Sequence, residues 1–162
     1  MYESEYTDLA QRYKSGANWF YWIAGLTIVT SIISFSGGNL RFLISLGTTQ
    51  VIDQLADAFS AELGTAPKVI ALVLDLILTA VFVVFGVLAN KKFLWAYILG
   101  MAVFVFDGLV SLLVQDWIGV IAHVVVVIFM VPGFMAGRKL VEIEQAMAQS
   151  QAQAEAQATT SL

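Results

Sequence analysis

Two carboxylates and one imidazole sit inside otherwise apolar stretches of this chain: Asp75, Asp107 and His123. Their positions match. Asp75 follows Lys68, where one hydrophobic run begins, by seven residues. Asp107 precedes Asp116, the turn between the last two runs, by nine, and His123 follows it by seven. At a helical rise of ~1.5 Å per residue, all three lie roughly 10–14 Å below the same membrane surface. Ionisable side chains at that depth are expensive and face an interior, so the spacing argues for one buried polar layer.

Several chemistries fit such a layer. The plainest is a hydrogen-bonded pin: His123 pairs with Asp75 or Asp107, and hydroxyls from Ser31, Thr79 and Ser111 satisfy what remains. A proton or cation pathway comes second, since two carboxylates and an imidazole in one layer can exchange protons. A metal site comes third. Two carboxylates and an imidazole suit zinc or iron, but a fourth protein ligand is not evident. Axial ligation of a haem or pigment by a lone histidine is generic and has no supporting motif. No cofactor is therefore expected, and no metal.

Enzyme chemistry is the least supported. The chain has no G-x-S-x-G, no H-E-x-x-H and no phosphate loop. Ser111 or Ser31 could join His123 and an Asp as a nucleophile, but most serines in spans cap or pack. Asp107–Gly108 is too short a pattern to imply a transferase. The absence of cysteine removes disulfides, thiolate nucleophiles, iron–sulfur and zinc–thiolate sites. A single histidine excludes a two-histidine haem within one copy.

The elements that must hold this layer follow from composition. Apolar residues make up 59% of the 162 and charged residues only 12%, against about half and a quarter in a soluble domain. The net charge of −4 gives no electrostatic case for nucleic acid. Four runs are long enough to cross ~30 Å of hydrocarbon: 19–35, 69–88, 93–114 and 117–135. Backbone groups in lipid must be satisfied internally, so each is a helix. Glu3, Glu5 and Asp8 precede the first run, where a secretory signal would be basic, so it is expected to be a permanent span.

Each run carries a small or polar stripe. The stripes are Thr27, Thr30, Ser31 and Ser34; then Asp75, Thr79, Gly86 and Asn90; then Ala96, Gly100, Asp107 and Ser111; then Gly119, His123, Met130, Gly133 and Gly137. Helices in lipid associate through such surfaces, so these should face inward. Short links at 90–92 and 115–116 make the last three spans antiparallel neighbours. Pro132–Gly133 should end or bend the last helix.

Between the first two runs, Val51, Ile52, Leu55, Phe59 and Leu63 recur at helical spacing opposite Gln50, Asp53, Gln54, Asp57 and Glu62. This predicts an amphipathic helix over 49–63 on the outer face or dipping over the bundle mouth. Thr48 or Thr49 would cap it, Gly64 would end it, and Pro67 would open the next span. A fifth span is the rival, but it would carry Gln50, Asp53, Gln54 and Asp57 through lipid. Leu40–Leu46 is apolar and too short to cross, and Gly37–Gly38–Asn39 reads as a turn.

The fold class is thus an all-α integral membrane protein. It is a four-transmembrane-helix bundle with an outer-face amphipathic helix and a cytoplasmic C-terminal helix. Segment 1–18 is expected to be a cytoplasmic N-terminal segment, 19–135 the membrane domain and 136–162 a tail whose helix frays toward Thr159. With four spans, Arg12, Lys14, Lys91, Lys92, Arg138 and Lys139 share one side and only Arg41 and Lys68 the other. That places both termini in the cytoplasm, in a bacterial inner membrane. The leading functional expectation is a non-catalytic accessory or scaffold subunit, with lipid and other membrane subunits or self-association as partners. The alternative is a small proton- or cation-coupled transport module using the buried layer, and a membrane-embedded enzyme comes last.

Overall fold

The computed structural model describes residues 2–36 and 46–160. Five helices follow one another: α1 (Tyr2–Phe35), α2 (Gly47–Leu63), α3 (Ala66–Asn90), α4 (Leu94–Leu113) and α5 (Trp117–Thr160). Among the described residues, α1, α3, α4 and α5 are long and apolar enough to cross a membrane, and α2 is not. The Gly37–Gly38–Asn39 turn, Arg41 and all of Leu40–Leu46 but its last residue lie outside the described residues.

Two helices are much longer than a bilayer requires. At ~1.5 Å per residue, α1 with 34 residues and α5 with 44 reach roughly 50 and 65 Å, against ~30 Å for α4 with 20. Residues before 19 belong to the same helix as the first span, since α1 is helical from Tyr2 onward. Its overhang and that of α5 pack together at the end where α3 turns into α4. Tyr6 Oη donates to Glu144 Oε1 at 2.6 Å, and Lys92 Nζ reaches both Tyr6 Oη, at 3.2 Å, and Glu144.

Most of the stripe residues read from the sequence are buried, while Thr30, Ser34 and Asn90 are only partly so. On α1 the buried positions Tyr13, Ala17, Phe20, Ala24, Thr27 and Ser31 alternate steps of four and three. On α5 the buried positions Gly119, His123, Val126, Met130, Gly133, Gly137 and Leu140 do the same. That spacing lets two helices run side by side along a long seam. The backbones of α1 and α5 approach closely at Gly16 and Gly133. A Cβ on Gly133 would lie 2.7 Å from Gly16 Cα, and one on Gly16 would lie 2.8 Å from Gly133 Cα. The Tyr97 hydroxyl fills the same niche and donates to the Met130 carbonyl at 2.8 Å.

Of the two expectations for Pro132, an end or a bend, the end is not what occurs: α5 continues through it to Thr160. An interior proline costs about 3 kcal/mol of helix stability. Met130, Gly133, Ala136 and Leu140 are buried on either side of it, and their packing outweighs that cost.

Around the bundle, α1 lies between α3 and α5, and α4 completes the ring. The tight turns allow α3, α4 and α5 to be consecutive neighbours, as expected, yet α3 packs far more on α1 than on α4. The shorter helix α2 lies against α3 and also meets α4. Gly64, with φ of 67°, ends it and starts the reversal into α3, whose first turn contains a proline. The orientation of α2 differs from the simple amphipathic expectation. Leu55, Phe59 and Leu63 are more than half exposed and point away from the bundle, whereas Thr49 and Ala56 are buried against it.

Candidate functional site

Asp107 and His123 meet because of one turn. Gln115 adopts a φ of 58°, and the Asp116 carboxylate accepts the Gly119 N–H at 3.1 Å, capping α5. The reversal places positions nine before and seven after Asp116 at one level on adjacent helices. His123 Nε2 lies 3.0 Å from Asp107 Oδ2, and Nδ1 lies 2.7 Å from the Gly119 carbonyl oxygen. The imidazole stacks on the Phe104 ring, with centroids 4.4 Å apart.

A third element joins this pair. The first N–H groups of a helix lack partners within it and carry the positive end of the helix dipole. In α2 these groups point at Asp107. Gly47 N–H donates to Oδ2 at 2.5 Å, and Thr48 N–H donates to Oδ1 at 2.9 Å. The Thr48 hydroxyl also donates to Oδ1, at 2.5 Å. Only glycine fits at this contact, since a Cβ on Gly47 would lie 2.9 Å from both the Asp107 carbonyl oxygen and the Ser111 nitrogen.

Both ring nitrogens of His123 are engaged, Nδ1 with a carbonyl oxygen and Nε2 with a carboxylate that also takes three donors from α2.

Among the described residues no hydrogen bond joins Asp75 to this cluster, and the histidine pairs with Asp107 rather than with Asp75. Asp75 is 1% exposed, and its Oδ2 accepts the Ser31 hydroxyl at 2.7 Å. Its Oδ1 has no hydrogen-bond partner among the described residues, and neither has the hydroxyl of Thr79, one turn along on the same face. Ser111 contributes less than expected, since its hydroxyl reaches the Asp107 backbone carbonyl at 3.5 Å and not the carboxylate.

A narrow cleft between α1, α2 and α3 is lined by Ser31, Ser34, Asp53, Lys68 and Leu72, and Ser31 also bonds Asp75. The Ser34 hydroxyl donates to Asp53. Lys68 pairs with Asp57 at 2.9 Å at the same end. Among the described residues, no three His, Cys, Asp or Glu side chains converge as a metal-holding group.

Sequence reasoning missed Gly47 and Thr48 as partners of Asp107, assigning a threonine to cap its own helix instead. The signal was present in a weak form. The helix has no acidic residue in its first turn and no side-chain cap of its own, so its donors had to be satisfied from elsewhere. Asp53 and Ser34 were seen only as members of polar faces.

The chain matches no protein-family model, and no curated protein or solved structure is significantly similar to it.

Proposed function

We propose that the chain is a non-catalytic accessory or scaffold subunit of a membrane assembly. It sits in a bacterial inner membrane with both termini in the cytoplasm. The observation that carries this reading is the saturation of Asp107 and His123. The carboxylate takes four donors and the imidazole engages both nitrogens. Groups whose lone pairs and protons are all committed hold helices together; they are poorly placed to take a substrate or relay a proton.

Two surfaces supply contacts for partners. Residues 145–159 of α5 are exposed, forming an arm of roughly 20 Å at ~1.5 Å per residue. On α2, the apolar stripe of Leu55, Phe59 and Leu63 faces outward. For the sidedness, six basic residues in α1, the α3–α4 turn and α5 sit toward the end that holds both termini. Lys68 sits toward the other.

The test is purification of the tagged full chain at native expression in mild detergent, with mass spectrometry of what accompanies it. A membrane protein of different mass at fixed stoichiometry is expected, and its recovery should fall when residues 146–162 are removed. A chain that purifies only with itself would sink the accessory reading. The second reading, a small proton- or cation-coupled module, is favoured by one specific observation: the unpartnered oxygen of Asp75.

A further inference from the structure

A carboxylate oxygen buried without a partner costs on the order of 1–3 kcal/mol or more, so such atoms are rare in a folded interior. Here two occur one helical turn apart on α3. Asp75 is 1% exposed and Thr79 3%, and Oδ1 of the first and Oγ1 of the second lack partners among the described residues. The side chains placed at the pair itself, Asp75, Thr79 and Ser31, offer only oxygen. The Ser31 hydroxyl holds the other carboxylate oxygen, and beyond it the cleft opens past Ser34 and Asp53. An all-oxygen environment selects hard cations over soft ones.

The surrounding charges set the valence. From α1 comes the Ser31 hydroxyl. From α2 comes Asp53, while Asp57 is neutralised by Lys68 of α3. Asp107 of α4 and His123 of α5 are engaged with each other. When ionised, Asp75 carries one negative charge, with Asp53 as a second carboxylate in the cleft.

We propose that Asp75 and Thr79, with Ser31 as the positioning hydroxyl, form a binding site for one monovalent cation, entering by the α1–α2–α3 cleft. The cation is a proton, which converts Asp75 to the carboxylic acid with Thr79 as its hydrogen-bond partner, or a sodium ion held by the carboxylate and the Thr79 oxygen. The site draws on the residue that favours the second functional reading but needs no transport. An accessory subunit can carry it, so its failure would leave the accessory reading standing.

Infrared difference spectroscopy of the purified full chain, titrated between about pH 5 and pH 9, reads the Asp75 carboxyl directly. Spectra are taken in sodium chloride and in choline chloride at equal ionic strength. Wild type should show a carboxylic-acid band that titrates and is missing in Asp75→Asn. Thr79→Val, which keeps the shape and removes the oxygen, should move the midpoint by about one unit, a tenfold change in proton affinity. A lower midpoint in sodium than in choline identifies sodium as the ion, and equal midpoints identify the proton. Circular dichroism and gel filtration confirm that both variants are folded. Absence of any titrating band lost in Asp75→Asn overturns the site, and so does a midpoint indifferent to Thr79→Val.

Discussion

The two buried aspartates look alike in sequence and differ in what surrounds them. Asp107 faces four donors from two neighbouring helices, and Asp75 faces one. Asparagine offers one acceptor oxygen and an NH2 that can only donate. At position 107 that NH2 must point at a donor from α2 or at the imidazole, leaving buried groups unsatisfied. Asp107→Asn should therefore destabilise the protein by about 1–3 kcal/mol, whereas Asp75→Asn should cost under ~1 kcal/mol, the scale of a single polar contact in a membrane bundle. Thermal unfolding of both variants in the same detergent measures the difference. Equal losses would mean that the hydrogen bonds at Asp107 do not hold α2 in place.

At the scale of elements, α1 and α5 depend on their glycines and on the contacts of their overhangs. Gly133→Val puts a side chain into the Gly16 backbone and the Tyr97 hydroxyl, neither of which can retreat. Overpacking of this kind costs typically 1–3 kcal/mol, so a matching fall in unfolding temperature is expected, with Gly25→Val as the harmless control because nothing lies near it.

The overhang contact has a pH signature. Hydrogen bonds from Lys92 and Tyr6 hold the Glu144 carboxyl below its ordinary value, and Glu144 holds the Lys92 ammonium above its own. The Glu144 contribution is present above about pH 4.3 and is lost as pH falls through the lowered folded value; the Lys92 contribution is present below about pH 10.4 and is lost as pH rises through the raised one. Both side chains are more than a third exposed, so screening keeps the effect under ~1 kcal/mol. Spin labels at Thr7 and Gln145 should hold one separation through neutral pH and spread in strong acid, and in Lys92→Met the separation should be wider throughout.

For the whole molecule, four spans fix which turns share a side. A cysteine at Lys91 and one at Gln115 should label from opposite sides of the membrane, in a background with no native cysteine. Both labelling from one side would break the four-span arrangement. Along α2, cysteines at Gln54 and Asp57 should react and those at Thr49 and Ala56 should be protected, since the first two are exposed and the last two buried. Uniform protection from Gln50 to Phe59 would instead make α2 a fifth span.

Composition and periodicity alone determined four apolar helices and the face each turns inward. Hydrophobic length sets the number of crossings, and small or polar residues at steps of three and four can meet only where helices meet. Asp75, Asp107 and His123 were legible as buried for the same reason. Their partners were not. Depth along a helix follows from counting residues, but which helices are neighbours depends on packing that no single segment encodes. Tertiary structure alone put the α2 N-terminus on Asp107 and left one oxygen of Asp75 without a partner among the described residues. It also carried α5 past Pro132, because a seam of small residues against α1 outweighs a local helix-breaking preference.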